Sequence, residues 1–156
     1  MSPEISAEGK QGIEGLFSLV VSAVIENKAG EILVTRRSMQ RDHRPGEWEL
    51  VSGRVDVGEK DLVKALEREV RHEVGLELGN STPFRVFYFE RGKAKIPHFG
   101  INFYCLCKNE ESVQLDMVEQ DDYKWVLPDK ALTMIIDPNV IEAVQKYQEF
   151  RRNYSA

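Results

Sequence analysis

The chain has 156 residues, enough for one domain with a real hydrophobic core and no need of staples. With 42% hydrophobic and 30% charged residues it reads as an ordinary globular protein, and 21 basic against 26 acidic residues, net -5, argue against holding nucleic acid by general phosphate attraction. The two cysteines, Cys105 and Cys107, argue against a disulfide framework and a four-ligand zinc site, and point to a reducing, cytoplasmic compartment.

Residues 1–14 are polar and glycine-bearing and read as a flexible N-terminal lead-in to a single domain over 15–156. Leu16 to Ile25 is the most apolar run and reads as a buried strand. It is shorter than the roughly 20 residues a bilayer span needs. Glu4, Glu8 and Glu14 ahead of it do not suit a signal peptide, so no membrane partner is expected. Asn27-Lys28-Ala29-Gly30 is turn chemistry, and Glu31 to Arg36 completes a hairpin. Ser38 to Gly46 is a basic polar loop stopped by Pro45-Gly46. Trp48 to Val51 reads as a short strand and Ser52 to Lys60 as a glycine-bearing loop. Asp61 to Val74 is the clearest helix, closed by Gly75. Phe84 to Phe89, Gly100 to Cys107 and Tyr123 to Leu127 read as strands, the last stopped by Pro128. Asn139 to about Arg151 reads as a closing helix. The pattern predicts an α+β fold, one mixed sheet covered by helices.

On a wheel of roughly 100° per residue, Leu62, Val63, Leu66, Val70 and Val74 form the core face of the helix. Lys64, Glu67, Arg68 and Arg71 fall on the opposite side. Glu69 and Glu73 do not join them; they lie one turn apart in the angular range of Leu62 and Leu66. Ionised carboxylates near a core are costly unless a cation meets them, and two at i and i+4 repel each other. A divalent cation resolves both problems. Arginine salt bridges at the rim of the face are the alternative.

The residues around this helix resemble the signature of the Nudix hydrolase family. That signature runs Gly, five residues, Glu, seven residues, Arg-Glu-aliphatic, one residue, Glu-Glu, one residue, Gly-aliphatic. Gly53 and Glu59 match at the right spacing, Arg68-Glu69-Val70 match the middle, and Glu73, Gly75 and Leu76 match the end. Pro45-Gly46-Glu47-Trp48 resembles the segment that precedes the signature, and Glu119 and Trp125 resemble a later Glu and Trp. The chain departs from the pattern in three places. Eight residues separate Glu59 from Arg68, the extra one falling near Lys60 and Asp61; His72 stands where the first Glu of the pair belongs; Val51-Ser52 replaces a frequent Pro-Gly.

The resemblance implies an α/β/α sandwich, its mixed sheet flanked by the signature helix and a C-terminal helix. It implies metal-dependent cleavage inside the diphosphate of a nucleoside diphosphate linked to another group, of the nucleoside triphosphate or nucleotide sugar type, releasing a nucleoside monophosphate. Glu69, Glu73, Glu59 and the Ser52 carbonyl are then expected at Mg²⁺, with His72 able to shift preference toward Mn²⁺. Glu69 and Glu119 are the candidates for general base, and Arg68 orients the acids. Arg36, Arg37 and Arg44 are expected to meet phosphates and Tyr88 to stack on a base. A catalytically impaired nucleotide-binding module is the alternative reading. An isoprenoid diphosphate isomerase is disfavoured, because Cys105 and Cys107 lie far from the early loop. The expected partner is a small nucleotide; a homodimer is left open.

Overall fold

Strand β1 (Ser18–Glu26) is apolar on both faces, and it occupies the centre of a seven-stranded sheet with both faces covered. The computed structural model describes residues 16–154. The lead-in assigned to residues 1–14 lies outside the described residues. The turn after β1 is closed by Asn27, whose Oδ1 accepts from the N–H of Ala29 and of Glu31 at 3.1 and 2.9 Å. Gly30 supplies the positive φ that the turn requires. Strand β2 (Ile32–Arg37) follows.

The stretch from Trp48 changes partner at Leu50. Strand β3 (Trp48–Glu49) pairs with β2, whereas β4 (Val51–Arg54) pairs with β1. The loop expected from Ser52 therefore starts later, after Arg54. Helix α1 (Leu62–Val74) begins where Asp61 accepts from the N–H of Val63 and of Lys64, and ends at left-handed Gly75. Strands β5 (Leu78–Arg91) and β6 (Ile96–Cys107) form a long hairpin, with β6 parallel to β1. Strand β7 (Gln120–Val126) pairs with β2. Helices α2 (Pro128–Met134) and α3 (Pro138–Asn153) close the chain.

Other elements also differ from the sequence reading: β6 starts at Ile96 rather than Gly100, and β7 at Gln120 rather than Tyr123. β5 starts at Leu78, six residues early, because an edge strand tolerates Pro83 and takes up two register shifts around it. Helix α2 was unexpected: Pro128 stops β7, but proline also suits the first turn of a helix.

The sheet order is β3-β2-β1-β6-β5, with β4 beside β1 and β7 beside β2. Val21, Ala23 and Ile25 of β1 pack under Leu66, Val70 and Val74 of α1. On the other face Val24, Ile32 and Tyr104 pack under Ala143, Val144 and Tyr147 of α3. Leu66 and Val70 are fully buried and contribute about 1.5–3 kcal/mol each. The α/β/α sandwich is thus the observed fold. At the far end of β1, buried Glu26 accepts from Arg151 Nε at 3.0 Å and from the hydroxyls of Tyr104 and Tyr147. Burial alone would raise its carboxyl, but the bonds from Arg151 and Tyr147 outweigh burial and hold it below the ordinary range.

Candidate active site

Helix α1 approaches β4 closely because Gly53 has no side chain. A Cβ there would lie 2.2 Å from the Glu69 carboxyl carbon. Glu69 thus lies directly over the strand. Glu73, one turn on, is 5% exposed, and Gln120 Nε2 donates to its Oε2 at 3.2 Å. Burial, with the neighbouring charges of Glu49 and Glu69, pushes the Glu73 carboxyl up to about 8. Glu49 is also raised by burial, which its partner Arg37 only partly offsets at 3.0 Å.

Arg68 fixes the loop before the helix. Its Nε and Nη2 grip Glu59 at 2.9 and 2.8 Å, Nη1 meets Glu69 Oε1 at 2.7 Å, and Nη2 reaches the Arg54 carbonyl at 3.1 Å. The fork on Glu59, with the Asp56 N–H, lowers the Glu59 carboxyl to about 2. The extra residue before α1 therefore leaves the Glu59–Arg68 pairing intact. Glu119 arrives from the segment before β7 and pairs with Arg41. The Ser38 N–H donates to the Glu119 carbonyl at 3.0 Å, tying this segment to the basic loop. His72 is exposed on the rim, its Nε2 3.7 Å from Asp116.

This acidic end opens into a second recess of about 220 Å³ between the sheet and α3. Val20, Ser52, Phe89 and Arg91 line both ends, so the two form one cleft. Burial and the guanidiniums of Arg37, Arg54 and Arg41 hold Arg91 below the ordinary arginine range, which marks a band of like charge at the junction. Beyond it the recess is walled by Phe87 and Phe89, their rings 6.0 Å apart, and by Trp48, Val140 and Ala143. Gly100 lets Phe87 lie flat on β6, since a Cβ there would sit 2.1 Å from the ring tip.

The structure brings Ser52, Arg68, Glu69, Glu73 and Glu119 to the acidic end, with Glu59 behind Arg68. Arg37 and Arg44 line the recess, Arg44 held by Glu47 at 3.0 Å and Asp137 at 3.4 Å. Arg36 and Tyr88 are not drawn into the cleft. Arg36 binds Asp121 at 2.7 Å and covers the Trp48 ring at 5.9 Å. Tyr88 is half exposed on the other face of β5, against Phe99 and bonded to Glu90. Strand alternation turns Phe87 and Phe89 inward instead. Sequence reasoning also missed Glu49, Gln120, Arg54 and Arg91. For Glu49 and Gln120 the only signals were proximity to Trp48 and Glu119.

Among the described residues, no three acidic, histidine or cysteine side chains already form a ligand cluster. Arg68 holds one oxygen of Glu69 and Gln120 one of Glu73. The donor set nonetheless fits a divalent cation. Glu73 is buried, and the charges of Glu49 and Glu69 help to raise its carboxyl, a repulsion that a hard cation beside Glu69 and Glu73 relieves. The missing Cβ at Gly53 lets the Glu69 carboxylate lie against the β4 backbone.

The Nudix domain family model matches residues 16–147. A nucleoside triphosphatase, NudI, of Escherichia coli is 33% identical over 119 residues, 70% of this chain and 82% of that protein. The uncharacterized Nudix hydrolase YfcD of Salmonella typhi is 27% identical over 69% of this chain and 56% of its own length. Among solved structures, the MutT protein of Methanosarcina mazei Go1 has a TM-score of 0.69 at 26% identity, covering 89% of this chain and 96% of that one. The NUDIX domain of Shewanella oneidensis NrtR, complexed with ADP ribose, has a TM-score of 0.72 over 86% and 88% of the two chains; at 16% identity it supports the fold alone. The chain belongs to the Nudix family. It is a Nudix pyrophosphohydrolase, a hydrolase acting on acid anhydrides.

Proposed function

We propose that residues 15–156 act as one domain that hydrolyses a nucleoside triphosphate or a related nucleoside diphosphate derivative, releasing a nucleoside monophosphate. The observation that carries this reading is the order of chemistry along one cleft: buried acids, then the arginine band centred on Arg91, then the aromatic recess. A phosphate chain needs a cation at one end and guanidiniums along it, and a base needs a ring to lie against.

In this reading Glu69 and Glu73 hold Mg²⁺ with the Ser52 carbonyl, and Glu59 acts through Arg68. Mn²⁺ is an alternative occupant, with His72 at the rim. When bound, such an ion neutralises phosphate oxygens and acidifies a water. Arg68 orients Glu69, and the arginines at the junction align the phosphates so that phosphorus faces the acids. Glu119 takes the proton of the attacking water as the new P–O bond forms and the bridging P–O bond breaks. Pyrophosphate leaves when the substrate is a triphosphate. Glu69 is the second candidate for that base. Arg37 belongs to the junction band, and Arg44 acts on its base side. The free thiols of Cys105 and Cys107 agree with a cytoplasmic site of action.

The test is turnover of nucleoside triphosphates and nucleotide sugars with Mg²⁺ or Mn²⁺, products separated by chromatography. Monophosphate with pyrophosphate is expected. Diphosphate with orthophosphate, or no turnover by folded protein, overturns the reading.

A further inference from the structure

Arg85 of β5 lies behind the recess and is not part of its lining, yet it touches three residues that are. Its Nη1 donates to Asn102 Oδ1 at 2.9 Å and its Nη2 to Asn139 Oδ1 at 2.9 Å. Its Cζ lies 4.9 Å from the centre of the Phe87 ring, and Nη2 also reaches Glu142 at 3.2 Å.

A guanidinium carries only donors. Each amide must therefore turn its oxygen toward Arg85 and its NH₂ group away. The flipped amide would set N–H against N–H and leave a buried donor without a partner, which is costly. An ordinary asparagine can turn over to suit either a donor or an acceptor; these two cannot. Among the described residues no hydrogen bond from either Nδ2 is formed, and neither atom is a sealed, partnerless one, so both are left open on the recess that Asn102 and Asn139 line. The carboxylates of the recess are already engaged. Asp137 takes the Asn139 N–H and faces Arg44, Glu47 takes Arg44, Glu49 takes Arg37, and Glu90 takes the Tyr88 hydroxyl.

We infer that Arg85 is a positioning residue that locks the Asn102 and Asn139 amides with their N–H donors facing the recess, so that the recess selects a nucleobase by its keto edge. Guanine offers O6 and N7 as adjacent acceptors, and uracil and thymine offer O4. Adenine and cytosine carry an amino group at the corresponding place and would set donor against donor. This rests on the nucleotide reading above and names the base class within it.

The test compares bases of equal size, guanine with adenine and uracil with cytosine. Turnover is measured for GTP, ATP, UTP and CTP with metal, and calorimetric binding for GMP, AMP, UMP and CMP. The keto member of each pair should lead by about tenfold to a hundredfold in kcat/KM and in affinity. In Arg85→Met the amides are free to flip, and both ratios should fall to within about threefold of unity, through the KM of the keto substrates rather than through kcat. Arg85→Lys keeps one donor and should restore part of the preference. Asn139→Asp exchanges a donor for an acceptor beside Arg85, in the first turn of α3 where a carboxylate is favoured. It should move preference toward ATP and CTP whether or not Arg85→Met folds.

Equal handling of keto and amino bases by the unmodified protein overturns the inference. So does an Arg85→Met variant that loses thermal stability but keeps the ratio, because Arg85 is then only structural. If no triphosphate is turned over while GMP and UMP bind ahead of AMP and CMP, the hydrolase reading fails and this one stands. If none of the four monophosphates binds, this inference falls whatever the turnover.

Discussion

Replacing Glu73 by Gln tests the acidic end of the cleft without touching substrate. Glu73 is 5% exposed, and its carboxyl is moved from 4.5 to about 8 by burial and by Glu49 and Glu69. The folded protein thus holds this proton more tightly than the unfolded chain does. The resulting stabilisation is complete below pH 4.5 and is lost as pH rises through about 8. One pH unit of difference corresponds to about 1.4 kcal/mol, so the metal-free protein gives up at most about 5 kcal/mol across that window. Glutamine keeps the shape, can still accept from Gln120 and carries no charge. In a chelator, the difference in melting temperature between Glu73→Gln and the unmodified protein should widen in favour of the variant from pH 5 to pH 8. At about 2–4 °C per kcal/mol for a chain of this size, it should reach about 10 °C. Adding Mg²⁺ at pH 8 should raise the melting temperature of the unmodified protein and leave the variant nearly unmoved, while turnover by the variant drops sharply. Scanning fluorimetry or calorimetry reads all of this. Parallel melting curves across the pH range would refute the account of Glu73 as a buried charge awaiting a cation.

Gly53→Ala places a methyl 2.2 Å from the Glu69 carboxyl carbon and should cost about a hundredfold in kcat, with circular dichroism unchanged. Arg68→Lys loses the fork that holds Glu59 and Glu69 together and should lower kcat/KM by about tenfold to a hundredfold, read by steady-state kinetics. Gly100→Ala drives the Phe87 ring into the recess and should raise KM far more than it lowers kcat. Tyr88→Ala, on the exposed face of β5, should leave kcat/KM within about twofold; a larger loss would mean that the face assignment of β5 is mistaken.

Helix α1 was legible because three independent signals agree on it. The 3.6-residue period gives its face, Asp61 and Gly75 give its ends, and two acids in the apolar sector give its chemistry. Glu73 is indeed buried and Glu69 lies at the β4 backbone. The recess was not legible in the same way. Phe87, Tyr88 and Phe89 are interchangeable by residue type, and only the register shift between Pro83 and Arg85 decides which faces inward. Arg91 sits at the end of a hairpin strand remote in sequence from Arg37 and Arg41, so their convergence is a product of topology. Glu49 carries no signal of its own in the sequence, and only the fold lays it beside Arg37. Arg85 carries no motif at all, and its meaning lies in the two amides it meets across the fold.

The parallel pairing of β1 with β6 has a consequence for how the protein comes into being. Ser18 lies against His98 and Glu26 against Leu106, so every one of these pairings closes a loop of 80 residues. On a ribosome adding about 5–20 residues per second, β1 waits about 4–16 seconds for its neighbour to be made. For that interval one edge of the most apolar strand stands open, with β4 and the tip of β2 as its only sheet neighbours in hand. Val20 and Ser22 of that strand line the cleft together with Asn102 of β6. The cleft is therefore among the last parts of the molecule to be assembled, and a nascent chain has no closed recess to offer a ligand until β6 has docked.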